Sequence, residues 1–202
     1  MNEREADLAG RLGYEFAHPD LLVTALRHRS WVAENAGESN ERLEFLGDAV
    51  LGMVVTDYIF EIYPTLPEGQ LAKVRASVVN AQALAEVATE LEVGQGLYLG
   101  KGEAASGGRE KPSILADAME ALLGAIYLDG GWKPVTALVL DLLRDRIAEA
   151  AQGPGGQDYK TRLQELTAQL FDGAPRSAVA EVGVVRRKTM STLVFRSMVE
   201  RV

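Results

Sequence analysis

Two long, almost wholly apolar helical stretches, each with its carboxylates on one side, constrain this chain more than any other feature. In residues 40–60, NERLEFLGDAVLGMVVTDYIF, a helix of 3.6 residues per turn lines up Glu41, Glu44, Asp48, Leu51 and Val55, acidic first and apolar after. The other sides carry Leu43, Phe45, Leu46, Ala49, Val50, Met53 and Val54, so no face reads as an ordinary solvated one. In residues 113–128, SILADAMEALLGAIYL, the only charges are Asp117 and Glu120, three apart and on one side. Taking an ionised carboxylate out of water costs several kcal/mol even after the protein relaxes. The acids therefore need a compensating cation or a crevice that admits one.

The rest of the chain reads as further helices. Residues 4–12 form a short amphipathic helix closed by Gly13, and Pro19 opens a second through Leu21, Leu22, Ala25 and Leu26. Arg27, His28 and Arg29 fall at its C-terminal end, where His28 reads better as a cap or packing residue than as a phosphate contact. Asn40 is placed to cap the acidic helix, and Pro64 ends it. Pro67 starts another helix, broken or bent near Asn80. On it Lys73 and Arg75 are either surface charges or phosphate partners. Residues 94–112 hold Gly94, Gly96, Gly100, Gly102, Gly107 and Gly108, which predicts a mobile surface loop. Ser113 is expected to cap the second acidic helix, and residues 132–150 form a last one with Val135, Leu138, Val139, Leu142, Leu143 and Ile147 at helical spacing. No internal repeat is visible.

Composition narrows the function. There are no cysteines, which excludes disulfides, thiolate zinc sites and cysteine nucleophiles and suits a reducing cytosol. The N-terminus lacks a signal-like apolar segment and no apolar run approaches a membrane span, so a cytoplasmic protein with no membrane partner is expected. No G-x-x-x-x-G-K-[ST] occurs, and no nucleotide cofactor is expected. Residues 1–152 hold 13 Lys and Arg against 24 Asp and Glu, whereas residues 153–202 hold 8 against 5. An acidic body followed by a basic tail suggests two modules joined by AQGPGGQ, residues 151–157, a flexible linker by composition.

If the two acidic helices pack face to face, Glu44, Asp48, Asp117 and Glu120 share one pocket. Hard divalent cations take oxygen ligands, and Mg²⁺ in particular binds through a few carboxylates together with substrate phosphates. One or two such ions would neutralise the acids and activate a water against a phosphodiester. The competing reading is that these are ion-paired core acids. No Lys or Arg lies three or four residues from Asp117 or Glu120 within their helix, but distant pairing with Lys73, Arg75 or Arg109 stays open. An acid/base pair of the glycosidase kind needs two acids and leaves two unexplained.

The string NERLEFLGDAVLG at 40–52 closely resembles the signature of the ribonuclease III family. LGYEF at 12–16, the LL…AL.HRS segment ending at Ser30, PEGQLAKVRASVV at 67–79 and SILADAMEALLGAIYLDGG at 113–131 are similar to its endonuclease domain in the same order. The resemblance implies an all-α endonuclease domain at 1–150, the ribonuclease III-like helical fold, acting as a homodimer. It would cut double-stranded RNA with Mg²⁺, Mn²⁺ being able to stand in, and leave 5′-phosphate and 3′-hydroxyl ends. Carried over, Glu44, Asp117 and Glu120 would bind metal, and Asp48 and Glu120 would be catalytic. Glu41 and Glu68 would support the cleft, and Phe45 would seat at the dimer interface.

DYKTRLQELTAQ at 158–169 resembles the first helix of the double-stranded-RNA-binding domain of this family, in which Thr161, Gln164 and Glu165 would face the minor groove. Residues 178–185 and 189–199 then read as a hairpin around Arg186, Arg187 and Lys188. After Gly183 the family's Pro-x-His stretch is replaced by Val184, Val185 and Arg186. Residues 158–202 are thus expected to be a truncated α+β RNA-binding segment, marginally folded and weak in binding. The implied function is processing of ribosomal and other structured precursor RNAs. The alternative is a dimeric double-stranded-RNA-binding or ribosome-assembly protein that does not cut.

Overall fold

The structure, a computed structural model, describes residues 2–152. Thr161, Gln164, Glu165 and the expected hairpin lie outside the described residues, as does most of the expected linker. Within them run α1 (Glu3–Leu12), α2 (Pro19–Ala25), α3 (Arg29–Val32), α4 (Glu41–Ile62), α5 (Glu68–Val78), α6 (Ala81–Glu90), α7 (Val93–Gly96), α8 (Lys101–Ala105), a 3-10 turn at Gly108–Glu110, α9 (Pro112–Gly130) and α10 (Trp132–Gln152). Among the described residues the only β pairing is an isolated parallel bridge between Arg27 and Tyr98.

The second acidic helix is the centre of the fold. Ile114, Leu115, Ala116, Ala118, Met119 and every residue from 121 to 126 of α9 are buried, leaving Asp117 and Glu120 part-exposed. A helix apolar on all sides can be stable only when surrounded. Here α4, α6, α2 and α10 pack around α9, with α4 the most extensive neighbour. From α10, Val135, Val139, Leu143 and Ile147 bury one i, i+4 stripe, as their spacing predicts.

Several boundaries follow from local chemistry. Asn2 and Glu5 form a capping box at the start of α1, and Gly13 closes that helix at φ 62°, the left-handed region where glycine has no steric cost. The expected break near Asn80 is real: its side chain accepts from the Ala83 N–H and starts α6. Two expected caps are not. Pro112 rather than Ser113 opens α9, since its ring presets the helical φ and its missing N–H is not needed there. Asn40 precedes α4, but its backbone is already helical (φ −74°, ψ −9°) and its side chain caps nothing.

The glycine-rich stretch is also not the mobile surface loop its composition predicts. It folds as α7, α8 and the 3-10 turn, with Gly94, Gly96 and Gly108 buried. A Cβ on Gly94 would come 2.2 Å from the Arg109 carbonyl oxygen, so this glycine permits close backbone approach. Arg109 then pins the segment by donating 2.8 Å hydrogen bonds to the carbonyls of Gly94 and Leu97.

At the far end of α9, the Asp129 side chain is 1% exposed and accepts 2.8 Å bonds from the Tyr14 hydroxyl, the Ala17 and His18 N–H groups and His18 Nδ1. Burial alone would raise this carboxyl, but the donors outweigh it and hold its pKa below the usual value. Among the described residues no helix is long and apolar enough to cross a membrane.

Candidate active site

The acidic helices meet because each has a glycine where they cross. A Cβ on Gly47 would stand 1.7 Å from the Glu120 carbonyl oxygen, and one on Gly124 would stand 2.3 Å from the Leu43 carbonyl oxygen. The two backbones are therefore in direct contact, closer than helices separated by side chains. Gly47 is flanked by Glu44 and Asp48, and it faces Glu120, one turn beyond Asp117. The contact therefore brings all four carboxylates to one side of the crossing.

Electrostatics register that proximity. Burial raises the Glu120 carboxyl from its ordinary 4.5 to about 7, and the charges of Asp48, Glu44 and Asp117, in that order, push the same way. Glu44 is raised by burial and then by Asp117 and Glu41, against a smaller opposing effect of Arg29. Burial likewise raises Asp117, although His28 and Arg29 pull it down. None of the four forms an ion pair among the described residues. The distant cations weighed from sequence are engaged elsewhere: Arg75 donates to Thr56 Oγ1 and Arg109 to backbone carbonyls, while Lys73 lines a separate groove with Arg146. Among the described residues, these four carboxylates are thus not ion-paired core acids.

A set of hard oxygen donors with no ion-pair partner among the described residues, one held near a pKa of 7, fits a hard divalent cation. Among the described residues no three such side chains stand close enough to clasp an ion as placed. Repulsion between uncompensated carboxylates favours that spread, and a cation between them would remove it.

The other sequence-derived residues fall at different places. Glu41 lines a pocket of about 270 Å³ together with Glu44 and Asp117, whereas Asp48 and Glu120 do not line it. Glu68 is not with them: it lines a groove with Phe60, Leu71 and Arg75 beside the C-terminal half of α4. Phe45 is 81% exposed and continues along α4 into exposed Met53 and Phe60. His28 caps the start of α3, accepting from the Ser30 N–H, rather than the C-terminal end of α2, where Leu26 stands, and it also lines the 270 Å³ pocket. Lys111 and Ser113 stand there as well. The sequence offered Ser113 only as a helix cap and gave no reason to single out Lys111, though its place directly ahead of an acidic helix was a usable signal.

Residues 18–147 match the family model described as Ribonuclease-III-like. The chain belongs to the ribonuclease III family of endoribonucleases. Ribonuclease 3 of Streptomyces coelicolor is 52% identical over 185 residues, covering 91% of this chain and 67% of that protein. Ribonuclease 3 of Thermobifida fusca is 53% identical over 184 residues, covering 91% and 76%. Among solved structures, the nuclease domain of ribonuclease III from Campylobacter jejuni superposes with a TM-score of 0.67 at 41% identity over 72% of this chain and 97% of that one. A second structure of that domain, showing flexibility in a region involved in dimer formation, gives a TM-score of 0.65 at 42% identity over 69% and 95%. The ribonuclease III fold and the all-helical expectation therefore agree.

Proposed function

We propose that this ribonuclease III-type enzyme hydrolyses phosphodiester bonds of double-stranded RNA at the crossing of α4 and α9. The observation that carries the reading is four unpaired carboxylates drawn together by Gly47 and Gly124, with Glu120 at a pKa of about 7. Glu44, Asp117 and Glu120 would hold Mg²⁺, or Mn²⁺ in its place, with Asp48 beside it. When bound, the ion supplies a water made nucleophilic near neutral pH and a positive charge at the scissile phosphate.

The side chains do the rest. Asp48, the most exposed of the four, stands where an RNA strand would approach and orients the attacking water as its proton leaves. Glu120, paired with it in catalysis, is part-buried, and its backbone is held against Gly47 at the crossing, so its carboxylate starts from a defined place on α9. Water adds to phosphorus, the bond to the 3′ oxygen breaks and that oxygen takes a proton, leaving 5′-phosphate and 3′-hydroxyl ends. Glu41 supports the cleft through its effect on Glu44.

The exposed stripe of Phe45, Met53 and Phe60 would be covered by a second copy of the chain. Glu68, remote from the carboxylates within one subunit, would act in that assembly. Residues 158–202, with Thr161, Gln164 and Glu165, would add duplex contacts, and structured precursors such as ribosomal RNA are the substrates this arrangement suits. The test is cleavage of a labelled RNA duplex with Mg²⁺, repeated with chelator and with Glu120→Gln. Loss of cutting in both controls supports the reading. Binding without cutting in every condition favours a non-cleaving RNA-binding protein instead.

A further inference from the structure

The exposed stripe of α4 is balanced about its own middle. Phe45 lies eight residues before Met53 and Phe60 seven after it, about 12 Å and about 10 Å along the helix axis. A surface with like groups at equal distances from a centre matches a second copy of itself running the opposite way, with Met53 on the two-fold axis. Parallel pairing of the same stripe would instead set the two acidic N-terminal halves, each with Glu41, Glu44 and Asp48, side by side. Asp57 and Glu61, the acids of the C-terminal half, fall on the other flank of the stripe.

The flank that carries the carboxylates has a counterpart further along the same helix. Eleven residues make about three turns, so Phe45 and Thr56 share one flank, and so do Asp48 and Ile59. Thr56 and Ile59 line the groove of about 370 Å³ that also holds Phe60, Glu68 and Arg75. A two-fold axis across a pair of antiparallel helices keeps like flanks together. Phe45 of one copy therefore meets the groove of the other, and Asp48 follows one turn further on.

Arg75 is the cation of that groove. It donates a 3.1 Å hydrogen bond to Thr56 Oγ1, which in turn donates 2.6 Å to the Gly52 carbonyl, so one end of the guanidinium is anchored to α4. Its other N–H groups have no acceptor and it makes no ion pair among the described residues, with Glu68 or any other acid. Asp48 likewise has no counter-charge within its own copy. The cations near the cluster stand on its other side: His28 and Arg29 act on Asp117 and Arg29 on Glu44, while the charges acting on Glu120 are all acidic. Resting on the nuclease and self-association readings above, we propose that Arg75 works in trans, pairing with the Asp48 carboxylate of the other copy and holding it beside that copy's α4–α9 crossing. Arg75 is then a positioning residue, and each cutting site is complete only when two copies meet. Glu68 enters the same cleft, and Arg75 offsets the negative charge it brings. An RNA phosphate is the competing partner for the guanidinium.

The chain has no cysteine, so introduced cysteines report the pairing cleanly. On mild oxidation of the full chain, Met53→Cys should cross-link one copy to the other, whereas Phe45→Cys should not. A Phe45→Cys cross-link would overturn the antiparallel pairing. Function is read in mixed dimers of two differently tagged full chains, one made inert by Glu120→Gln, cutting a labelled RNA duplex with Mg²⁺. Arg75→Ala in the inert chain should lower kcat about tenfold with KM unchanged, and Arg75→Ala in the live chain should leave both as they were. Arg75→Gln, which keeps a donor for Thr56 but no charge, should give the same split. A purely structural role for the Arg75 contact to Thr56 would cost the same in either chain. Losses that follow the live chain, or that are equal in both placements, overturn the proposal. A rise in KM with kcat unchanged overturns it too, since Arg75 would then hold RNA rather than Asp48. If parent dimers cut while Arg75 variants match them in both placements, the site in trans alone falls. If the parent cuts no duplex RNA, the nuclease reading falls with it.

Discussion

Replacing Glu120 by glutamine should make the metal-free protein more stable while destroying its activity. With the carboxyl raised from 4.5 to about 7, the folded protein keeps a proton through that window that the unfolded chain has already released. The native state binds more protons there, so stability is fully present below pH 4.5 and falls as pH rises towards 7. A shift from 4.5 to about 7 corresponds at most to about 3.4 kcal/mol. Because Glu120 is only part-buried, solvent screening reduces this to about 1–2 kcal/mol. Glutamine keeps the shape and never ionises. In chelator at pH 8 the Glu120→Gln protein should therefore melt about 3–6 °C above its parent, with the gap closing at pH 5. Millimolar Mg²⁺ should raise the melting point of the parent and leave the variant almost unmoved. Circular dichroism melts at both pH values, with and without the ion, measure all of this. A variant less stable than its parent in chelator at pH 8, or a gap indifferent to pH, would refute the reasoning.

Gly47→Ala would put a Cβ 1.7 Å from the Glu120 carbonyl oxygen and force α4 off α9, so a loss of about 3 kcal/mol or more is expected in urea unfolding; an unchanged midpoint would show that the helices do not touch there. Asp129→Ala leaves the Tyr14 hydroxyl and two backbone N–H groups without their acceptor and should cost about 3 kcal/mol with little direct effect on the carboxylate site, measured by the same denaturation. Covering an exposed phenylalanine is worth about 2 kcal/mol per subunit, so Phe45→Ala should weaken self-association on the order of a thousandfold in sedimentation equilibrium. If Phe45→Ala associates as its parent does, the interface lies elsewhere.

Much of this was written in the local pattern. Asp117 and Glu120 stood out because they are the only charges in residues 113–128, and the burial of residues 114–116, 118, 119 and 121–126 around them bears that out. The valine and leucine spacing of α10 and the Asn80 break needed only helical periodicity and capping chemistry. What stayed hidden depended on a distant backbone. Gly47 and Gly124 look like weak helix residues until the opposing carbonyls are known, and Gly94 looks like a loop residue until Arg109 is seen against it. Asn40 misled for the same reason: a cap is a local expectation, whereas a helical φ and ψ set by the Arg27 contact turn its side chain to the pocket. Glu68 matches a family position, but its place beside Phe60 could not be read from a motif.

The most direct measurement replaces Mg²⁺ by Fe²⁺ and maps where ascorbate-driven hydroxyl radicals cut the full chain's own backbone. Scission confined to two places, around residues 44–48 and 117–120, suppressed by excess Mg²⁺ and absent from the Asp117→Asn, Glu120→Gln double variant, is the expected result. Scission at only one of them, or a pattern untouched by the double variant, would contradict a shared ion between α4 and α9.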